Sequence, residues 1–471
     1  MQPARLLRPV EQPTGRLRPW LARAVVCAVV LVVFWRTLHY GLYLDDQHHV
    51  RPWTLDEVLG VFHGPFDPLG IEPVYYRPLV VVSFAVDWAL WGYGTTGWHA
   101  TNIVLHSLAA VAVLELLRRA RLGLWVATAG AVLFALIPAN VATVVYISER
   151  SDAMVAIFSV IALLAVYRWF HVRRPRWLVV ACLAYVLAIG SKEVGIATIG
   201  LVAIWWWFLN LPDPAPTSDG RRPSIVQHWR GEVGGAWSAI AGRSVRRSWL
   251  LVVGPMAAIT VAFLAFRAVV LPNGALGESY DASEGPVRGF VTAVFATFKG
   301  MPWEVRAWSL PLLVGLVVVA FIVGPTSRHW RVVVLGVAWV ICCCVPLARL
   351  GRVEPRLLYV AEIGAALVVA GVLGVLAEAW SLRRAGAEAP TRLSKPAAWT
   401  AAVTAATVMI VGYAAVTAPS NVEAQDQFEP GSPKMLAADL RIWETPRYHE
   451  RFPEHYMVLI EQRLRDAGMI P

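Results

Sequence analysis

The sequence predicts an all-α, polytopic membrane protein with about eleven spanning helices, and three observations carry that prediction. The chain of 471 residues is 57% hydrophobic and only 16% charged, with a mean hydropathy of +0.55, so most of its solvent is lipid. Apolar runs of roughly 17 to 25 residues recur from Leu21 to Thr417, each long enough to cross a hydrocarbon core of about 30 Å as a helix. Arginines gather in alternate connections between these runs, the pattern that encodes orientation across a membrane, and period-two alternation of a membrane barrel is absent. This distribution accounts for the net charge of +10 and argues against a nucleic-acid partner.

The N-terminal segment from Met1 to Pro19 carries Arg5, Arg8, Arg16 and Arg18, and the first span follows from Trp20 to His39. No small-x-small cleavage site follows it, so an uncleaved span with a cytoplasmic N-terminus is expected. The first outer loop covers about residues 40–98. Within it, Thr54 followed by Asp56 and Glu57 signals a capped surface helix, and the run from Leu79 to Trp91, apolar but containing Asp87, predicts an interfacial helix. Spans are expected at His99–Leu117 and Leu122–Tyr146, with a fourth ending at Arg168, Arg173, Arg174 and Arg176. The stretch from Trp177 to Leu209 is interrupted only at Gly190 to Glu193. Six arginines follow in the loop of about 211–248, so two spans with Lys192 and Glu193 at an outer turn keep those arginines cytoplasmic. Further spans are expected at Trp249–Leu271, Ala307–Val323, Val332–Leu347, Leu357–Ala377 and Ala398–Thr417, with an interfacial helix near Phe290 to Phe298. This divides the chain into a transmembrane domain, 1–418, and an extracytoplasmic helical tail, 419–471, amphipathic at Met435 to Trp443 and at His455 to Leu464. Cys27, Cys182 and Cys342 to Cys344 all lie in apolar runs and read as packing residues.

Charged groups that interrupt apolar runs concentrate at what the charge pattern makes the outer face. Asp45 and Asp46 follow the first span among Leu42, Tyr43 and Leu44, where ionised carboxylates are costly without a partner or a task, and either can serve as a general base. His48 and His49 beside them lack metal-ligand spacing and read as interfacial polar residues. Arg77 carries a planar guanidinium suited to two-point contact with a phosphate. His99, Asn102 and His106 share one helix face and read as interhelical hydrogen-bonding groups, a metal role being the alternative. Glu149, Arg150 and Asp152 form a charged turn, Lys192 and Glu193 another, and Arg349, Arg352 and Arg356 at spacings of three and four form a candidate anion site for a phosphate-bearing lipid.

Taken in order, the acidic pair, Tyr76-Arg77-Pro78-Leu79, His99-x-x-Asn102-x-x-x-His106, the turn from Glu149 to Asp152, Ser191-Lys192-Glu193-x-Gly195-Ile196 and Arg356-x-x-Tyr359 resemble the membrane part of the transmembrane-and-tetratricopeptide O-mannosyltransferases. More broadly, they resemble the C-type, polyprenyl-phosphate-sugar-dependent glycosyltransferase superfamily. The resemblance covers roughly Leu38 to Ala365. It implies a glycosyltransferase that moves a sugar, mannose in that family, from a polyprenyl-phosphate donor to an acceptor hydroxyl on the extracytoplasmic face of the inner or plasma membrane. It implies Asp45 or Asp46 as the base, Asp46 by a slight preference, with Arg77, Lys192, Arg352 and Arg356 on the donor phosphate. His99, His106, Glu149, Asp152 and Glu193 become supporting groups. It leaves two alternatives for the cofactor, none or a divalent cation, magnesium or manganese, with Asp45, Asp46 and Glu149 as the ligands if one is bound. No tetratricopeptide array is seen after the membrane part, so a protein, a lipid and a glycan all stand as acceptors. A transporter or flippase of a lipid-linked or anionic substrate is the alternative, but its charges belong near the bilayer midplane, in related halves, and no half-repeat is apparent.

Overall fold

In a computed structural model, residues 17–43, 45–67, 75–211, 243–271, 285–299, 306–349, 355–384, 431–445 and 454–471 are described, with short pieces of 226–235 and 425–429. The described residues form helices and connecting turns, and the all-α polytopic expectation holds. Helix α1 (Leu17–Phe34) runs through a 3-10 turn into the first loop, which carries α2 (Asp46–His49), α3 (Leu55–Gly60) and α4 (Pro78–Trp91). The membrane bundle continues with α5 (Thr95–Arg119), α6 (Leu124–Ala135), α7 (Val141–Val145), α8 (Arg150–Val172), α9 (Arg176–Ser191) and α10 (Ala197–Asn210). Then come α11 (Arg243–Val270), α12 (Pro286–Lys299), α13 (Arg306–Val323), α14 (Trp330–Cys344) and α15 (Tyr359–Arg384), and the tail supplies α16 (Pro433–Trp443) and α17 (Glu454–Asp466).

Among the described residues, six helices are long and apolar enough to cross a membrane, or seven if a bent pair counts as one span. Eleven spans are expected from hydropathy; three of them are shorter helices here (α9, α14 and the part of α13 from Leu313), and the one at 398–417 lies outside the described residues. The bent pair is the expected span from Leu122 to Tyr146. It turns by 52° between α6 and the segment Pro138–Val145, because Pro138 has no amide to continue the helix and disfavours helical geometry at Ile137.

Helices α14 and α15 approach so closely that their backbones touch. A Cβ added at Gly336 would lie 2.6 Å from the Gly364 carbonyl oxygen, and one at Gly364 would lie 2.8 Å from that of Gly336. Within a membrane, where apolar burial gives helices little reason to associate, such small-residue contacts gain dispersion energy. The expected surface helix is α3, where Thr54 Oγ1 accepts from the Glu57 amide and Glu57 closes the box on the Thr54 amide. Helices α4 and α12 occupy the two stretches where interfacial helices are expected. Val287, Val291 and Phe295 of α12 form an exposed apolar stripe, whereas Ala293 and Thr297 are buried.

The tail is built into the first loop. Ile442, Met457, Ile460 and Leu464 share one apolar cluster with Leu42, Val50, Val61, Phe66, Phe84 and Trp98. Arg36 pairs with Asp426 and Glu429, and Arg463 donates to Asp439 at 3.0 Å.

Candidate active site

The polar breaks meet at one end of the bundle, around the turn Ile147 to Asp152 between α7 and α8. Asn102 holds the end of α7 leading into that turn, donating from Nδ2 to the carbonyls of Val144 at 3.1 Å and Tyr146 at 2.6 Å. His99 Nε2 lies 3.2 Å from the Gly41 carbonyl, tying α5 to the start of the first loop. His106 bridges the Tyr359 hydroxyl, 2.7 Å from Nδ1, and the Ala135 carbonyl, 3.2 Å from Nε2. The shared face of His99, Asn102 and His106 is therefore a hydrogen-bonding face that contacts four neighbouring segments, the first loop, the end of α7, α15 and α6.

Asp46 is fully buried at the start of α2. Its Oδ1 accepts from the Ser148 amide at 2.8 Å and its Oδ2 from the Tyr43 amide at 3.1 Å, so the first loop is bolted to the central turn through one carboxylate. Burial pushes this carboxyl from 3.8 up to about 7, against the opposing pull of those amides. Asp45, one residue earlier, is half-buried. His48 and His49 are buried within the protein. The His49 ring stacks on Phe84 at 4.6 Å and packs against Phe66, which compensates an imidazole that burial, His48 and nearby arginines keep neutral.

Lys192 reaches the same turn from the break between α9 and α10. Its Nζ donates to Asp152 Oδ2 at 2.6 Å and to Glu149 Oε2 at 3.2 Å. Burial opposes the ammonium charge, but the two carboxylates outweigh it and hold Lys192 above its usual range. Glu193 points the other way: it accepts from the Tyr76 amide at 2.9 Å and from Arg77 Nε at 3.3 Å, and the Arg77 guanidinium lies over Tyr75 at 4.1 Å. The break from Ser191 to Ile196 thus joins the first loop and the central turn.

Two contacts in this network, the pairing of Arg150 in the expected charged turn and the amide of Ser148, are not evident from the sequence. Arg150, fully buried, sits 2.6 Å from Asp87 of α4, and Thr101 of α5 donates to the same carboxylate at 2.8 Å. An aspartate in the apolar run of α4 signals a missing partner, but nothing in the sequence says which of the chain's arginines supplies it. Ser148 contributes its backbone amide to Asp46, for which side-chain chemistry is no guide.

Asp46, Glu149, Asp152, Lys192, Arg77 and Glu193 are therefore connected through one continuous region. Arg352 lies outside the described residues, and the side chains of Arg349 and Arg356 do too. Among the described residues, no three His, Cys, Asp or Glu are grouped to hold a metal ion. Asp46 Oδ1 and Oδ2 each accept from a backbone amide, and Glu149 Oε2 accepts from Lys192.

Fold and sequence define the class. This is an integral membrane protein that resembles the C-type glycosyltransferase superfamily. Residues 86–230 match the family of dolichyl-phosphate-mannose-protein mannosyltransferases. The human protein O-mannosyl-transferase TMTC4 is 26% identical over 222 residues, 41% of this chain and 30% of that protein. The Drosophila melanogaster protein O-mannosyl-transferase Tmtc2 is 25% identical over 195 residues, 38% and 21% of the respective lengths. The chain thus spans less than a third of these relatives. Its fold is similar to that of the oligosaccharyltransferase AglB of Archaeoglobus fulgidus, solved with an inhibitory peptide and a dolichol-phosphate. The TM-score is 0.50 at 14% identity, covering 92% of this chain and 58% of that one.

Proposed function

We propose that this protein is a glycosyltransferase that moves a mannosyl group from a polyprenyl-phosphate donor to an acceptor hydroxyl on the extracytoplasmic face of the membrane. The observation that carries the reading is the joining of Asp46, Glu149, Asp152 and Lys192 through the turn 147–152, which lies inside the stretch that matches the mannosyltransferase family. The charge pattern supports a cytoplasmic N-terminus and an extracytoplasmic tail.

The two aspartates take different parts. Asp46 is enclosed and engaged by two amides, so it anchors the loop; Asp45, half-buried beside it, is the base that can reach an incoming hydroxyl. This reverses the slight preference for Asp46, since a base must be reached by the acceptor and Asp46 is at 0% exposure. Asp45 takes the hydroxyl proton as the acceptor oxygen bonds to the anomeric carbon. The bond from that carbon to the phosphate oxygen breaks, and the polyprenyl phosphate leaves with the electron pair. An in-line displacement of this kind inverts the anomeric centre. The growing phosphate charge is met by Arg352 and Arg356, by Arg77, and by Lys192, whose ammonium has three N–H donors of which two are committed to carboxylates. The lipid tail stays in the bilayer, so donor arrives by lateral diffusion. A membrane lipid and an acceptor, with protein the first choice from the names of the relatives, are the partners.

The test is transfer from radiolabelled polyprenyl-phosphate mannose to a panel of peptide, lipid and glycan acceptors by the purified protein in nanodiscs. Asp45→Asn is expected to lower kcat by about 10²–10⁴-fold with an unchanged Tm, as for loss of a general base. Asp46→Asn is expected to lower kcat and alter Tm together. Full activity in both variants removes the base assignment, and no transfer to any acceptor by the wild type removes the function.

A further inference from the structure

We propose that Arg150 and Asp87 are positioning residues for the acidic pair of the first loop, acting through the peptide unit between Ile147 and Ser148. The inference rests on the glycosyltransferase reading for its activity readout but not for its geometry. Arg150 Nε donates to the Ile147 carbonyl at 3.1 Å, fixing one side of that peptide unit, and the Ser148 amide on the other side donates to Asp46 Oδ1 at 2.8 Å. The guanidinium itself is held from two further elements. Its Nη1 is 2.6 Å from Asp87 Oδ2 of α4, its Nη2 lies 3.5 Å from the Trp98 carbonyl of α5, and the rings of Phe84 and Trp98 lie 5.0 and 5.6 Å from its central carbon. Thr101 of α5 completes the arrangement by donating to Asp87 Oδ1 at 2.8 Å. Arg150 is also close enough to Asp46 for the two charges to act on one another.

The burial of this pair is the reason to assign it a task. An arginine at 0% exposure and an aspartate at 3% are costly to desolvate, and an apolar pair of similar volume commonly stabilises a fold as well or better. An apolar pair cannot point a peptide unit. The guanidinium has donors in a fixed plane, and here that plane transfers the position of α4 and α5 to the Ile147–Ser148 unit, and from there to Asp46 and Asp45.

The test compares Asp87→Asn, the milder Thr101→Val, and the double variant Arg150→Met/Asp87→Leu with wild type in nanodiscs, using three readouts: Tm, steady-state kinetics with the mannosyl donor, and the titration of Asp46. The titration is followed by infrared difference spectroscopy of the carboxyl, with Asp46→Asn as the blank, and needs no substrate. Loosening the Ser148 amide removes a group that favours the ionised form, so the Asp46 midpoint is expected to rise in Asp87→Asn by roughly one pH unit, a tenfold change in protonation. A smaller rise is expected in Thr101→Val. The double variant is expected to recover the wild-type Tm while keeping the raised midpoint, with kcat at least about tenfold down and the KM for donor within about twofold. A double variant that regains both Tm and kcat assigns the pair a structural role only and overturns the proposal, as does an unmoved Asp46 midpoint in all three variants. If the wild type transfers no sugar and the midpoint still rises in Asp87→Asn and Thr101→Val, both of which keep the Arg150 charge, the activity reading fails while the positioning role stands.

Discussion

Asp46 ties the site to the fold at the scale of one side chain, and its ionisation follows from its surroundings. The unfolded chain loses this proton near pH 4, whereas the folded protein, with the carboxyl pushed up to about 7 by burial, keeps it through that interval. The folded state therefore binds more protons between those values, so its stability falls as pH rises from about 4 to about 7 and levels off above. The decline in Tm over this window is expected to be shallower in Asp46→Asn than in wild type; parallel curves would mean that the carboxyl is ionised throughout. Lys192 is governed by the opposite balance, a cation enclosed by two carboxylates. Lys192→Ala leaves Glu149 and Asp152 buried without their counter-charge, which is expected to cost about 3–5 kcal/mol and to abolish transfer. Lys192→Met combined with Asp152→Asn should recover part of the Tm and none of the activity.

Between elements, two kinds of contact set the geometry. Close backbone approach joins α14 to α15 at Gly336 and Gly364, where there is no room for a methyl group. Gly364→Ala would meet the Gly336 carbonyl oxygen, Val340 and Trp339 within 2.9 Å and is expected to cost about 1–3 kcal/mol, read as a lowered Tm. A variant as stable as wild type would show that the two helices can separate without loss. Directional hydrogen bonds join α5 to α15 through His106 and Tyr359, and α5 to the first loop through His99 and Gly41. Helix α5 thus carries the polar face that indexes the loop, the central turn and α15 against one another.

The molecule as a whole uses its tail to complete the first loop. Ile442, Met457, Ile460 and Leu464 occupy the same apolar cluster as Leu42 and Val50, residues that flank the acidic pair. Removing residues 425–471 exposes that cluster and is expected to lower both Tm and kcat, with transfer lost before the membrane bundle unfolds. A truncated protein that transfers at the wild-type rate would reduce the tail to an appendage. Arg463→Ala offers a gentler probe, since it breaks the contact with Asp439 within the tail and leaves the apolar cluster in place.

The sequence by itself determined the solvent and the class of the protein. Long apolar runs, arginines in alternate connections and the ordered polar breaks at Asp45, Arg77, Glu149 and Lys192 are local properties, legible because lipid forbids unpaired charge and unsatisfied backbone wherever they lack a purpose. The capped α3 and the amphipathic helices of the tail were legible for the same reason, as capping and periodicity act within a few residues. What only the tertiary structure decided was partnership. That Lys192 faces Glu149 and Asp152, that Arg77 binds Glu193, that Arg150 finds Asp87, and that Asp46 is held by a serine amide are facts about helices packed side by side. Such pairings depend on rotation and depth in the bundle. Hydropathy reports that a residue must be buried or paired, but carries no information about which neighbour will be there.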